Sequence, residues 1–267
     1  MAASVALYLD GVFAMVVASS MGDLADVSRG YGHALFATRI GVCALAWQPQ
    51  AVLAVQLPEV DAQATQARML HELAARLASA DAPPLADWCQ AHSADQLPDC
   101  AVQAVAGVQL LLAGWRAPSE GGGARHWPGA DVASVLGDMR TAYRHAVPAT
   151  QFPAIDGSAL PQLLDIALDW QGVPDFARNV YALARAIAPG QTRTYGDLAA
   201  DLGGPGLARA VGQALGANPF APIVPCHRVL AAGREPGGFS GGQGALTKLR
   251  MLELEGAAWG GTRSLFE

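Results

Sequence analysis

Apolar and polar positions divide this chain into two patterned stretches separated by a long unpatterned one. Residues 33–59 alternate apolar runs with turn residues. One run covers 39–47, a break follows at Gln48-Pro49-Gln50, and a second run covers 51–57, which predicts a strand hairpin. Met69, Leu73 and Leu77 recur every four positions within 65–80 and predict a helix; a second helix is expected over 101–115. Strands followed by helices fit a small α/β domain over 1–115. Residues 116–162 lose the pattern, with Pro118, Gly121-Gly122-Gly123, Pro128, Pro148 and Pro153 around one helix-like patch at 131–145, and are read as an insertion or linker.

The pattern resumes over 163–267, read as a second, mostly helical domain. Residues 165–169 look extended. A helix over 176–187 places Phe176, Val180 and Leu183 on one face and stops at Gly190. Thr194 is an expected N-cap for a helix over 195–202, followed by a turn at Gly203-Gly204-Pro205 and a helix over 206–215. Helix, glycine-containing turn and helix form the layout of a helix-turn-helix unit. Leu207, Val211 and Leu215 should face the core, while Arg209, about 200° round from Leu207, should face outward. Taken alone, Arg209 reads as an ordinary surface arginine on an alanine-rich helix. The fold class expected is α+β, with a winged-helix-like second domain.

At 267 residues the chain can bury a substantial core in two domains. Net charge is −6, unevenly distributed: residues 171–267 carry nine basic and seven acidic side chains, residues 1–170 eight and sixteen. Any grip on a phosphate backbone therefore belongs to the second half, with few contacts. Residues 3–20 are apolar, but Asp10 interrupts them and no Lys or Arg precedes Arg29, so neither a signal peptide nor a membrane span is expected there; an extra strand or helix is. Four cysteines are too few for a disulfide scaffold and fit a reducing, cytoplasmic setting. Cys43, Cys89, His92 and Cys100 lack zinc-site spacing, so no metal and no cofactor is expected.

The chemistry concentrates at Pro225-Cys226-His227-Arg228-Val229, which ends the apolar run Ile223-Val224. A lone cysteine on an apolar run reads first as inert core; the neighbouring positive charge predicts instead that Cys226 is held as a thiolate, the nucleophilic form. Around it stand Tyr195-Gly196-Asp197, Ala208-Arg209-Ala210-Val211-Gly212, Asn218-Pro219, Gly237-Gly238-Phe239-Ser240-Gly241-Gly242, Lys248 and Glu255-Gly256. This ordered set, over about 165–256, resembles the O6-alkylguanine-DNA alkyltransferases. Gly172-Val173-Pro174-Asp175-Phe176-Ala177 departs from the family's usual Gly-Thr-Pro-Phe-Gln without touching a catalytic position.

The resemblance implies that Cys226 takes an alkyl group from O6 of a flipped guanine in double-stranded DNA, once per molecule, with the protein acting as a monomer. It implies that Glu255 orients His227, which draws the thiol proton through a water, and that Asn218 braces the turn. Tyr195 and Ser240 would donate to the base, carbonyls near Cys226 and Val229 would accept its amine, and Phe239 would pack on its face. Arg209 would fill the gap left by the flipped nucleotide. Arg228 and Lys248 are placed with the substrate- and DNA-contacting group. Without the resemblance, Glu255 is read first as a surface charge and the glycine-rich loop as a plain turn. Two other readings compete: a lesion-binding protein without catalysis, which the presence of Cys226 disfavours, and a cysteine hydrolase, for which no third triad member stands out.

Overall fold

The structure, a computed structural model, describes residues 30–78, 82–91, 96–113, 163–257 and 259. The element expected within 3–20, the insertion at 116–162 and its patch at 131–145 lie outside the described residues.

The first half is built on a four-stranded sheet. Strands β1 (Gly32–Thr38), β2 (Gly41–Gln48) and β3 (Ala51–Gln56) run antiparallel in sequence order. A short strand β4 (Cys89–Ala91) adds parallel to β1, giving the order β3-β2-β1-β4. Helix α1 (Ala62–Leu77) is capped by Asp61, whose carboxylate accepts from the Ala64 N–H at 2.7 Å. It buries Met69, Leu73 and Leu77 against Ala44, Ala46, Leu53 and Ala54 on one sheet face. Helix α2 (Asp99–Ala113) covers the opposite face, over Cys43, Leu45 and Trp47. With both faces buried, β2 reads as a continuous apolar run rather than an alternating one.

The outer edge of β3 is completed by the second half of the chain. Val52 donates to the Ala167 carbonyl and accepts from Asp169, each at 2.9 Å, and Val55 donates to Pro219 at 2.8 Å. The sheet's second-face core runs on without a break into Val180, Tyr181, Phe220 and Val224. Arg76 of α1 spans the seam: its guanidinium donates to the carbonyls of Leu53, Asp169 and Gln171 and lies over the Phe220 ring. The seam is therefore joined by backbone ladders and shared apolar burial.

Helix α3 (Asp175–Arg185) buries Ala177, Val180, Tyr181 and Ala184. The expected face of Phe176, Val180 and Leu183 is thus rotated: small alanines pack at the contact, while Phe176 and Leu183 lie at its margin, partly buried. Helix α4 (Tyr195–Asp201) begins at Thr194 with a full capping box, the Thr194 hydroxyl accepting from Asp197 N–H and the Asp197 carboxylate accepting from Thr194 N–H. Gly203, at φ +115°, lets the chain turn into a 3-10 turn (Pro205–Leu207) and helix α5 (Ala208–Gly216). Val211, Ala214 and Leu215 of α5 face inward, Leu207 is half-buried, and Arg209 is exposed. The Tyr181 hydroxyl donates to the Ala214 carbonyl at 2.8 Å and locks α3 to α5. Strands β5 (Arg193–Thr194) and β6 (Val229–Leu230) pair in parallel, and helix α6 (Ala245–Leu254) closes the described fold.

Candidate active site

Residues 218–228 form a tight turn between α5 and β6 braced by side-chain and backbone hydrogen bonds. The Asn218 amide donates to the Val224 carbonyl at 2.8 Å, and its oxygen accepts from Phe220 N–H at 3.0 Å. Val224 N–H returns to the Phe220 carbonyl at 3.0 Å. A 3-10 turn then carries Cys226–Arg228, and all three side chains are buried.

Cys226 is only 6 % exposed. Its thiol is pushed up from the ordinary cysteine value because burial outweighs the hydrogen bond from Asn218, the charge of Lys248 and the local backbone N–H groups. The sulfur therefore rests as a thiol, which corrects the expectation of a standing thiolate. The physical reason is that the adjacent cation is committed elsewhere. Arg228, 1 % exposed, sends Nε to Glu255 Oε2 at 2.9 Å, Nη2 to Glu255 Oε1 at 2.8 Å and Nη1 to the Ile187 carbonyl at 2.6 Å. A guanidinium enclosed in this way cannot reach a phosphate, so the grouping of Arg228 with the DNA contacts is also corrected.

His227 is fully buried and bonds Glu255 Oε1 through Nε2 at 2.9 Å. Burial holds it below the ordinary histidine value despite the carboxylate, so the ring is neutral near pH 7. With Nε2–H donated to Glu255, Nδ1 keeps a lone pair that meets no hydrogen-bond partner among the described residues. Glu255 itself is lowered to about 2, burial being more than offset by His227 and Arg228, and it also accepts from Gly190 N–H at 3.2 Å. Neutral histidine, committed carboxylate and buried thiol make a proton-accepting arrangement that works only when the thiol proton is removed during attack.

Lys248, expected among the substrate and DNA contacts, stands elsewhere. It lies inside the fold, donating to the Val229 carbonyl at 2.6 Å and to the Tyr195 hydroxyl at 3.4 Å. Its ammonium sits 5.5 Å from the Tyr195 ring centre and 5.9 Å from that of Phe239. Burial lowers it to about 8. The Tyr195 hydroxyl donates to the Gly238 carbonyl at 3.3 Å, and the Ser240 hydroxyl donates to Gly216, the last residue of α5, at 2.8 Å.

A cavity of about 750 Å³ opens beside Cys226 between α1, the end of β3, the start of α3, α5 and the glycine-rich loop. Asn218, Tyr181, Phe239 and Ser240 share its wall with Cys226, while Tyr195, Val229 and Lys248 are not among its lining residues. The chain thus gathers Cys226, His227, Glu255, Asn218, Tyr195, Val229, Phe239, Ser240 and Lys248 around one turn, and leaves Arg209 on the exposed face of α5. Sequence reasoning missed two members: Arg228 as the partner of Glu255, and Arg68 of α1, which reaches the loop. The Arg68/Glu72 spacing of four was the one visible trace of the latter.

A family model for the DNA-binding domain of 6-O-methylguanine DNA methyltransferase matches residues 175–257, the stretch that carries the turn, both helices of the helix-turn-helix and Glu255. That stretch is under a third of the chain, and it is what is similar to the family's DNA-binding domain. A methylated-DNA--protein-cysteine methyltransferase of Mycobacterium bovis is 47 % identical over 91 residues, covering 34 % of this chain and 53 % of the relative. One of Salmonella typhimurium is 54 % identical over 71 residues, covering 27 % and 41 %. The chain thus spans about half the length of the curated relatives it matches. The O6-methylguanine-DNA methyltransferase structure from Pyrococcus kodakaraensis has a TM-score of 0.50 at 24 % identity, over 84 % of this chain and 99 % of that one, a likeness of fold. No helix among the described residues is long and apolar enough to cross a membrane.

Proposed function

We propose that this protein repairs double-stranded DNA by transferring the alkyl group of O6-alkylguanine to Cys226, irreversibly and once per molecule. The observation that carries the reading is the buried sequence of thiol, neutral imidazole and doubly held carboxylate beside a cavity at the foot of the helix-turn-helix. A buried thiol has little reactivity until its proton leaves. His227 Nδ1 is the acceptor, reached through a water, and Glu255 stabilises the imidazolium that forms. Sulfur bonds the alkyl carbon as the carbon–oxygen bond breaks, the bonding pair goes to O6, and the proton taken from the thiol returns to the departing guanine. Atoms and charge balance, and the thioether left on Cys226 has no second nucleophile to remove it.

Reaching O6 requires the nucleotide to leave the duplex at a cost of a few kcal/mol. In this reading Arg209 enters the stack as the base leaves, and Phe239 packs on the extruded ring. Tyr195 and Ser240 donate to it, and the Cys226 and Val229 carbonyls accept its amine. Ser240 must first release the Gly216 carbonyl, which couples base entry to the end of α5. Residues 163–267 would be the DNA-binding and transfer unit, acting as a monomer.

The test is mass spectrometry of the intact protein and of the Cys226 peptide after incubation with duplex carrying one O6-methylguanine. One methyl on Cys226 per lesion repaired is expected. A persistent lesion with unmodified thiol in folded protein would sink the proposal, and repeated turnover on an ester or amide would favour a hydrolase.

A further inference from the structure

The loop over 237–244 carries Phe239 and Ser240 on a backbone that is mostly glycine. Gly237, Gly242 and Gly244 all have positive φ, at +64°, +51° and +68°. Such a segment has little tendency to hold one conformation by itself. Its order must come from what it touches, and much of that belongs to the first half of the chain. A Cβ on Gly241 would meet Leu57 Cδ1 at 2.9 Å, and one on Gly242 would meet the Pro58 carbonyl at 2.7 Å, so the loop lies directly on the end of β3.

The polar tie across this contact is Arg68. Its Nη2 donates to the Ser240 carbonyl at 2.8 Å, across 172 positions of sequence. Its other two nitrogens are held by Glu72 Oε1 at 3.0 Å and Glu59 Oε1 at 2.6 Å. Glu59 is itself fixed, its carboxylate accepting from Gln56 at 3.1 Å and its N–H donating to Thr65 at 2.9 Å. Two carboxylates already neutralise the guanidinium, so the third arm is a matter of directed geometry rather than charge balance. A planar fork can serve three acceptors in fixed directions; an ammonium at the same place cannot match them. Arg68, Ser240 and Cys226 line the same cavity.

We propose that Arg68 is a positioning residue for alkyl transfer, holding the Phe239-Ser240 segment against the extruded base through the Ser240 carbonyl. The proposal rests on the transferase reading above. It assigns the first half of the chain a part in the reaction, as the fixed wall to which the base-contacting loop is pinned.

Single-turnover transfer from O6-methylguanine duplex should be followed in the full chain, with Arg68→Ala and Arg68→Lys beside the parent. Protein concentration is varied to separate half-saturation from maximal rate, and iodoacetamide labelling of Cys226 and thermal midpoints are measured in parallel. Arg68→Lys keeps a cation between Glu59 and Glu72, so its midpoint should stay near the parent's. Its maximal transfer rate should fall roughly tenfold, the loss of one charge-assisted hydrogen bond. Half-saturation and iodoacetamide labelling should be unchanged. Transfer by Arg68→Lys at the parental rate overturns the proposal, as does an equal loss in iodoacetamide labelling, which would place the defect in the thiol's own surroundings. A parent protein that takes no methyl overturns the transferase reading and this proposal with it, an outcome distinct from a parent that transfers normally alongside unaffected variants.

Discussion

Replacing Glu255 by glutamine keeps the shape of the side chain and removes its charge, leaving the Arg228 guanidinium, 1 % exposed, without a counter-charge. Breaking a buried pair by neutralising one partner costs about 3–5 kcal/mol. Proton linkage gives a second route to the magnitude. Glu255 is lowered from 4.5 to about 2, and at 1.36 kcal/mol per pH unit this is a contribution of about 3 kcal/mol. Because the folded value lies below the unfolded one, that contribution is complete above pH 4.5 and is lost as the pH falls towards 2. His227 is also lowered, so the unfolded chain takes up its proton first and stability declines below pH 6.5 in both proteins. Glu255 itself raises His227, so that decline is steeper in the variant, and the carboxylate is read from the gap at neutral pH, where neither histidine is protonated. Urea unfolding of parent and Glu255→Gln from pH 7 to pH 3 should show a gap of about 3 kcal/mol at neutral pH, or a midpoint drop of about 6–12 °C by heat. A gap below about 1 kcal/mol at neutral pH would refute the argument that this carboxylate neutralises Arg228.

Three further outcomes follow from the site and its scaffold. Lys248→Met removes a cation that lowers the Cys226 thiol, so iodoacetamide labelling at pH 8 should slow. Since Lys248 is lowered from 10.5 to about 8, its burial opposes folding below pH 8 and ceases to as pH rises to 10.5, so the parent should gain stability relative to this variant across that window. Thr194→Ala loses the capping box of α4 and should cost about 1 kcal/mol by urea unfolding, with Cys226 labelling unchanged; a wild-type midpoint would show that the cap is redundant. Arg209→Ala should reduce repair of duplex more than reaction with free O6-alkylguanine base, because only duplex needs flipping, and equal losses would count against its entry into the stack.

The hairpin of β2 and β3, the helix of Met69, Leu73 and Leu77, and the Thr194 cap were all legible from residue type and spacing, because each is a local signal. Strand β4 was not, since three residues are too few to show a period and its pairing with β1 is set by tertiary contact. The face of α3 was misjudged because alanines, weak as hydrophobic markers, make its closest contacts. The pairing of Glu255 with His227 came from the family resemblance, since a carboxylate at a helix end reads by itself as a surface charge. Arg228 could not be foreseen as its partner, since arginine next to a reactive cysteine reads as charge for the sulfur until its direction is known. The protonation of Cys226 failed for the same reason: burial and the orientation of neighbouring charges are properties of the folded turn. Arg68 is separated from Ser240 by 172 positions, beyond any local pattern.

Lys248 is the single lysine of the chain, and it lies buried beneath Tyr195 and Phe239. Side-chain amine chemistry therefore has one address in this molecule, under the loop that an incoming base must engage. An acylating reagent that ignores the folded protein will mark Lys248 only as often as the loop lifts. The rate of that single labelling event, read against DNA concentration, is a built-in clock for the opening of the site, with no surface lysine to blur it.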